Sequence, residues 1–455
     1  MKIKHYSFPV LLGIVCISTV FSAAANVMDY SPEYLYPQLR DVLKQAEASA
    51  VEIEILGYEK SKAILDKELA MTDNRPSVSF GTGVGFAGDN SGNDIQPTVT
   101  DLGLGLRYQL YQWGAKAAGH RKAEYRYGIY ELKMKEDLSK YGQKIREAFL
   151  KLIIDNFQLK ISKLEQDIIQ ENIAQDSLNF EDGRLSKENY ERILNSRKLR
   201  IMDLEHGKLE TERGLQDFRD LTGVQSFGME SVPTNIPSIE DLTESINTIA
   251  SQVRAKNYRD IYTVQQASLS LDIAEESITQ ARSNFRPSFN LSARTSLAPE
   301  FSKDNDLVMS YSGGINISQT FYSGGANQRK LQKTYYDRRL EIANIRDAEI
   351  TARKLLDRMI EDLQYSYNRL QISESEYTMA LANYEKSKDE YARGRVSDLQ
   401  FMYVETNRMN EEKTIYMARM NYLISVSKFL SYIGKDPILN ILSITSDKEL
   451  VTLEE

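Results

Sequence analysis

Four landmarks in this chain occur twice at a single spacing. Arg75-Pro76-Ser77 returns as Arg286-Pro287-Ser288, and Tyr111-x-x-Gly114-Ala115 as Tyr322-x-x-Gly325-Ala326. Gly183-Arg184-x-Ser186 returns as Gly394-Arg395-x-Ser397, and Gly223 as Gly434. Every pair is separated by 211 residues, as Pro76 is from Pro287. A constant offset over four separated landmarks makes the chain two copies of one unit, so both copies fold alike or neither does.

Each copy has the same internal order. Helical stretches at about 31–72 and 240–284 stop at Pro76 and Pro287, which cannot continue a helix and push the preceding arginine toward extended backbone. Two alternating segments follow, at about 77–87 and 99–112 in the first copy and about 288–298 and 307–321 in the second. Helical hairpins then occupy 114–222 and 325–433. The first repeat covers 26–224 and the second 240–436, with 225–239 as the connecting segment and 437–455 as a C-terminal tail.

The alternating segments carry the functional information. Val78, Phe80, Val84 and Phe86 share one side of the first, against Ser77, Ser79, Gly81, Gly83 and Gly85 on the other. Leu102, Leu104, Leu106, Tyr108 and Leu110 oppose Gly103, Gly105, Arg107 and Gln109. In the second repeat Phe289, Leu291, Ala293 and Leu297 oppose Ser288, Asn290, Ser292 and Arg294, and Met309, Tyr311, Ile315 and Ile317 oppose Ser310, Ser312, Gly314 and Asn316. Period-two alternation over about ten residues suits a membrane β-strand, with apolar side chains in lipid and small polar ones toward a watery lumen. A half-buried soluble sheet has the same period. Its inner face, however, would be rich in Gly and Ser on all four strands, and the N-terminus carries an export signal.

That signal is Lys2 and Lys4, an apolar run from Phe8 to Phe21, and the small residues Ser22 to Ala25. It reads as a secretory signal peptide at residues 1–25, cleaved after Ala25 or, as the alternative, Ala24. Its loss removes Cys16, the single cysteine, and takes the formal charge from −8 to −10. A cysteine-free acidic exported chain builds no disulfide or thiolate site and is no nucleic-acid binder. No later run reaches the roughly 18 apolar residues of a membrane helix, so strands are what enter lipid. Four strands cannot close a barrel, and an open edge in lipid leaves backbone groups unpaired, so at least two chains share one barrel. Tyr108, Tyr111, Trp113, Phe321 and Tyr322 end the returning strands, where aromatics suit a membrane–water interface. For Tyr108 taken alone, packing at a strand–helix junction is the better explanation. The polar loops at 87–98 and 298–306 are expected to face the external medium.

The hairpins are long. Ala117 to Asp182 would run about 100 Å as a straight helix. Apolar residues recur at spacings of three and four, as in Ile145, Phe149, Leu152, Phe157, Ile161, Leu164 and Ile168, which is coiled-coil spacing. Gly183 and Gly394 mark the hairpin turns, Ser186 and Ser397 are candidate N-caps, and Ser397 with Gln400 has capping-box form. His120 and His206 are isolated on helical runs, and no metal-ligand spacing, nucleophile elbow or phosphate loop is present. The chain reads as a conduit with no enzyme activity, metal or cofactor. The alternative is a non-conducting coiled-coil protein of the envelope.

The duplicated helix–strand–strand–helix unit, the Arg-Pro-Ser strand entries, the Tyr-x-x-Gly-Ala exits and the two Gly-x-x-Ser turns resemble the TolC-like outer-membrane efflux protein family. The resemblance covers nearly the whole exported chain. It implies a homotrimer, mainly α with transmembrane β, whose chains each give four strands to a twelve-stranded barrel above a long coiled-coil helical tunnel across the periplasm. It also implies an inner-membrane transporter and a periplasmic adaptor as partners, serving efflux or type I secretion. The adaptor would dock on Gly183, Arg184, Leu185 and Ser186 and on Gly394, Arg395, Val396 and Ser397. Tyr391 matches an aromatic in the family's closing contacts, and Phe180 is its counterpart in the first repeat. Asn189, Asp398 and Gln400 complete the gate candidates. Some members carry aspartates where this chain has Gln400 and Tyr403, so an acidic cation-binding ring is not expected here.

Overall fold

The computed structural model describes residues 27–87, 96–299 and 307–442. The expected signal peptide, most of both polar loops and the end of the tail lie outside them. In the first repeat the order is α1 (Pro32–Leu35), α2 (Pro37–Ser49), α3 (Val51–Thr72), β1 (Ser77–Ala87), β2 (Gln96–Tyr111), α4 (Ala115–Glu181) and α5 (Lys187–Thr222). A 3-10 turn at Met229–Ser231 leads to the second repeat: α6 (Thr243–Ala255), α7 (Tyr262–Ser283), β3 (Ser288–Pro299), β4 (Leu307–Ser318), α8 (Ala326–Ala392) and α9 (Asp398–Tyr432). The short α10 (Ile438–Ile441) follows. Among the described residues no helix is long and apolar enough to cross a membrane.

Two compact units emerge. One lies within Met1–Tyr58, Lys133–Tyr262 and Glu349–Glu455, the other within Glu59–Leu132 and Thr263–Ala348.

The first unit holds the aromatic core. Phe149 of α4 packs on Tyr36, Phe218 and Phe227 with ring centroids 5.5 to 6.3 Å apart. Here the N-terminal stretches differ from the sequence expectation, since each is two helices rather than one. The first breaks at Ala50, which is extended at φ −81° and ψ 127°. The second breaks at residues 256–261, where Asn257 and Tyr258 take positive φ. A tertiary contact supplies the cause. Gly223, at φ 71°, ends α5 against the backbone carbonyl of Ser49, which a side chain at 223 would strike. Gly434, at φ 72°, ends α9 beside the carbonyl of Asp260, where a side chain would make only ordinary contact and the positive φ is what favours glycine. Each return helix therefore closes onto the break of its own repeat's N-terminal helix pair.

The second unit holds the sheet, antiparallel throughout in the order β1-β2-β3-β4. Register aligns the apolar sides: Val78 faces Leu106, Leu106 faces Ala293 and Tyr108 faces Leu291, while Leu291 faces Ile315 and Phe289 faces Ile317. Val78, Phe80, Leu104, Met309, Tyr311, Ile315 and Ile317 stay exposed on one face. Ser77, Arg107, Ser292 and Gly314 share one row of the other. A sheet that leaves its apolar face uncovered is built for an apolar solvent. Two strand bounds differ from expectation. β2 begins at Gln96, and β4 ends at Ser318 rather than 321, so Phe321 and Tyr322 lie beyond the strand.

Candidate functional site

The two hairpin tips are built by the same bonds. In the first, the Gly183 amide donates to the Phe180 carbonyl (3.0 Å) and the Arg184 amide to that of Asn179 (2.9 Å). In the second, Gly394 donates to Tyr391 (2.8 Å) and Arg395 to Glu390 (3.0 Å). This paired closure, a Schellman motif, satisfies the last carbonyls of the outgoing helix and requires left-handed backbone at the glycine. Gly183 has φ 73° and Gly394 φ 70°. Any other residue would carry its Cβ into the following carbonyl, at about 1–2 kcal/mol.

The return helices start by capping. Ser186 Oγ accepts from the Asn189 amide at 3.3 Å, and Ser397 Oγ from the Gln400 amide at 3.3 Å. Gln400 Oε1 also accepts from the Ser397 amide (3.4 Å), which completes a capping box in the second tip alone. Asp398 sits in the first turn of α9, where a carboxylate meets the positive end of the helix.

A second matched device appears just above the turns. Phe180 stacks on Tyr190 with centroids 4.7 Å apart, and Tyr391 stacks on Phe401 at 4.8 Å, both at an interplanar angle of 10°. The four residues are repeat equivalents. Tyr190 and Phe401 escaped the sequence reading, although each stands at the same distance after its glycine. Hydrogen bonding to the Asp398 carboxylate raises the pKa of the Tyr391 phenol. Leu185 and Val396, also equivalents, are the half-buried apolar residues of the turns, whereas the glycines, arginines and serines around them are exposed. Arg184 reaches Asp182 at 3.6 Å in open solvent. Each tip is thus rigid and solvated.

The hairpins meet above the tips, where Asn172 of α4 donates to the Tyr403 hydroxyl of α9 at 3.0 Å. Phe157 meets Tyr416 edge-on at 5.1 Å, and Lys413 donates to Gln158 at 2.8 Å. Tyr403, at one of the positions where some TolC-like proteins carry an acid, is committed to this joint.

The interface aromatics separate into two groups. Trp113 donates its indole N–H to the Pro287 carbonyl (2.8 Å), lies under Arg286 and meets Tyr111 edge-on at 5.3 Å. It does so at φ 49°, strained for a tryptophan. Tyr108 lies under Lys116, whose ammonium donates to the Gln109 carbonyl. Phe321 and Tyr322 touch little, at 90% and 86% exposure. Pro76 and Pro287 each sit one residue before a strand. His120 contacts Asn74 at 3.4 Å and His206 lies beside Glu210.

Sequence reading missed one group outright. Arg146 is fully buried between Glu33 and Asp436, bonded twice to each. Burial alone would lower its pKa, but the two carboxylates more than reverse this and hold it charged. Asp436 also accepts from Ser431 Oγ and the Ile438 amide. The group ties the N-terminal segment and the C-terminal turn to α4.

Comparison with known proteins adds three findings. The family described as outer membrane efflux protein matches residues 261–435, essentially the second repeat. Outer membrane protein TolC of Escherichia coli is 19% identical over 87% of this chain and 82% of its own length. TolC of Salmonella enteritidis is 20% identical over 92% and 84%. The Campylobacter jejuni CmeC outer membrane channel superposes with a TM-score of 0.66 at 14% identity, over 88% of this chain and 86% of its own. VceC, an outer membrane protein of Vibrio cholerae, superposes at 0.64 and 12% identity over 90% and 99%. The duplicated architecture, the family match over the second repeat and the near full-length similarity to TolC agree: the chain has the fold of the outer-membrane channels and is similar to the TolC-like outer-membrane efflux proteins.

Proposed function

We propose that this chain is a passive exit duct in the outer membrane, working as a homotrimer whose four-stranded sheets close one twelve-stranded barrel. The observation that carries the reading is the sheet itself. Its apolar face is exposed on β1, β2 and β4 and half-buried on β3, its opposite face is lined by small polar residues and arginine, and its two edge strands, β1 and β4, pair with nothing further among the described residues. Lipid covers such a face, and only other chains can close such edges. The channels among its relatives are outer-membrane proteins, and the N-terminal sequence reads as an export signal.

The tips are the docking and gating end. Gly183 to Ser186 and Gly394 to Ser397 meet a periplasmic adaptor, which couples the duct to an inner-membrane transporter. Tyr391, Phe180, Asn189, Asp398 and Gln400 govern closure. The duct lowers no chemical barrier, so no catalytic step is assigned, and the driving energy comes from the transporter. Cargo is a drug, another small molecule or a type I secreted polypeptide.

A deletion strain tests the reading and sorts the cargo. Hypersensitivity to several unrelated drugs identifies efflux, and loss of one large protein from the medium identifies type I secretion. Finding the protein wholly in the soluble periplasm, with neither phenotype, contradicts the proposal and favours a non-conducting envelope coiled coil.

A further inference from the structure

We infer that the helix-side rim of the sheet's apolar face binds the phosphate of a net-anionic phospholipid headgroup, through Lys116 and Arg286. The inference rests on the reading of that face as covered by lipid. At this rim the face ends in aromatics. Tyr108 lies on it, opposite Leu291. The register then shifts between Gln109 and Tyr111, so Tyr111 stands opposite Phe289 and joins the apolar side despite its odd number. Its ring meets Phe289 at 6.4 Å and Trp113 at 5.3 Å between centroids.

Two cations crown these rings. The Lys116 ammonium lies 5.0 Å from the Tyr108 centroid, and the Arg286 guanidinium 4.8 Å from that of Trp113. Leu291 and Phe289, opposite Tyr108 and Tyr111, are two residues apart, about 7 Å along β3, so both cations belong to one patch. Arg286 is exposed and Lys116 half-buried. Lys116 gives a proton to the Gln109 carbonyl, and an ammonium has three to give. Among the described residues neither cation forms an ion pair. From Glu276 to Arg286 the chain has no further carboxylate, and Glu276 is bonded twice to Arg121.

Unmatched cations at the margin of a lipid-covered face stand at the level of lipid phosphates. Arginine can grip a phosphate with two parallel bonds, and lysine adds a point charge. The rings beneath them suit the boundary between acyl chains and headgroups. A zwitterionic headgroup carries its own ammonium, and neither cation of the patch has a carboxylate beside it to receive that charge. A headgroup whose phosphate is uncompensated fits the patch as it stands.

The backbone beneath Arg286 is an independent observation. Trp113 takes φ 49°, a left-handed value that costs a bulky residue energy and persists only where its surroundings enforce it. Its indole N–H donates to the carbonyl of Pro287, the residue after Arg286, at 2.8 Å. The strained turn thereby places the ring that supports the guanidinium. In the second repeat the counterparts of Tyr108, Trp113 and Lys116 are Gln319, Gly324 and Asn327, which supply neither ring nor charge. Each chain builds the patch once.

Trp113 is the single tryptophan of the chain, so its fluorescence reports this patch alone. The purified protein is reconstituted in phosphatidylcholine vesicles containing a fixed fraction of lipid brominated near the headgroup end of its acyl chains, either phosphatidylglycerol or phosphatidylcholine. Brominated phosphatidylglycerol should quench Trp113 more strongly at equal fraction. The preference should fall about fivefold in Lys116→Gln and about fivefold in Arg286→Gln, and should persist in Arg286→Lys. Quenching by brominated phosphatidylcholine should stay the same in every variant, which shows that folding and insertion are kept. Equal quenching by the two lipids, or a preference that survives in Lys116→Gln/Arg286→Gln, overturns the inference. Inorganic phosphate that abolishes the preference where chloride of equal ionic strength does not would assign the patch to a soluble anion, and also overturns it. Quenching by neither lipid condemns the lipid-covered face as well, which separates that failure from failure of the site alone.

Discussion

The two repeats agree at their tips and diverge away from them. At the tips the glycine conformation, the amide bonds and the aromatic stacks coincide. Elsewhere, buried Arg146 corresponds to Asp357, which makes an exposed ion pair with Arg254 at 2.6 Å. Gly142, whose missing side chain leaves room for Ile438, corresponds to Arg353. Strained Trp113 corresponds to Gly324, which adopts the same left-handed region without its strain. The difference has a physical source. Both tips are solvent-facing turns with the same closure to make, whereas Arg146 and Asp436 correspond to Asp357 and Gln225, so the buried charge group can form in only one repeat.

Substitutions at matched positions can break that contrast. The largest effect is expected at Arg146. Arg146→Met leaves the Glu33 and Asp436 carboxylates buried without a counter-charge, which should destabilise by about 3–5 kcal/mol in denaturant unfolding. Arg254→Ala, which breaks the exposed pair of the second repeat, should cost about 0.2–1 kcal/mol. Equal losses would show that the repeats are not asymmetric in the way described. Next come the tips. Gly183→Pro and Gly394→Pro each remove a closing amide bond and should abolish adaptor cross-linking to similar degrees while outer-membrane insertion persists. Unchanged cross-linking in both would move the docking site elsewhere.

Smaller effects sharpen the comparison. Ser186→Ala and Ser397→Ala should each cost about 1 kcal/mol, the second more because a capping box is lost; hydrogen exchange at the first turns of α5 and α9 measures this. Tyr391→Phe should change least, because it keeps the stack on Phe401 and loses only the bond to Asp398. The raised phenol pKa fixes the sign: that bond supports the tip below the ordinary tyrosine range and is lost as pH rises through the raised value, so wild type and variant should converge in alkaline solution.

The periodic features were legible from sequence. Alternation located the strands, a fixed offset exposed the repeat, and glycine followed by serine located the turns. Three things were not. The breaks at Ala50 and at Asn257–Tyr258 contain neither proline nor glycine, since contacts with Gly223 and Gly434 far along the chain shape them. The Arg146 group joins residues 113 and 290 positions apart, beyond any local pattern. The shorter β4 is an edge strand, and among the described residues no strand lies on its free side to extend it. Tyr190 and Phe401 were readable, because FEDGRLSKENY and YARGRVSDLQF each begin and end with an aromatic.

The central claim is that copies of this chain enclose a water-filled path through the membrane. Purified protein reconstituted in a planar lipid bilayer tests it directly. The account predicts stable, stepwise single-channel conductance from a trimeric preparation. Trimers that insert into the bilayer yet pass no current would contradict it.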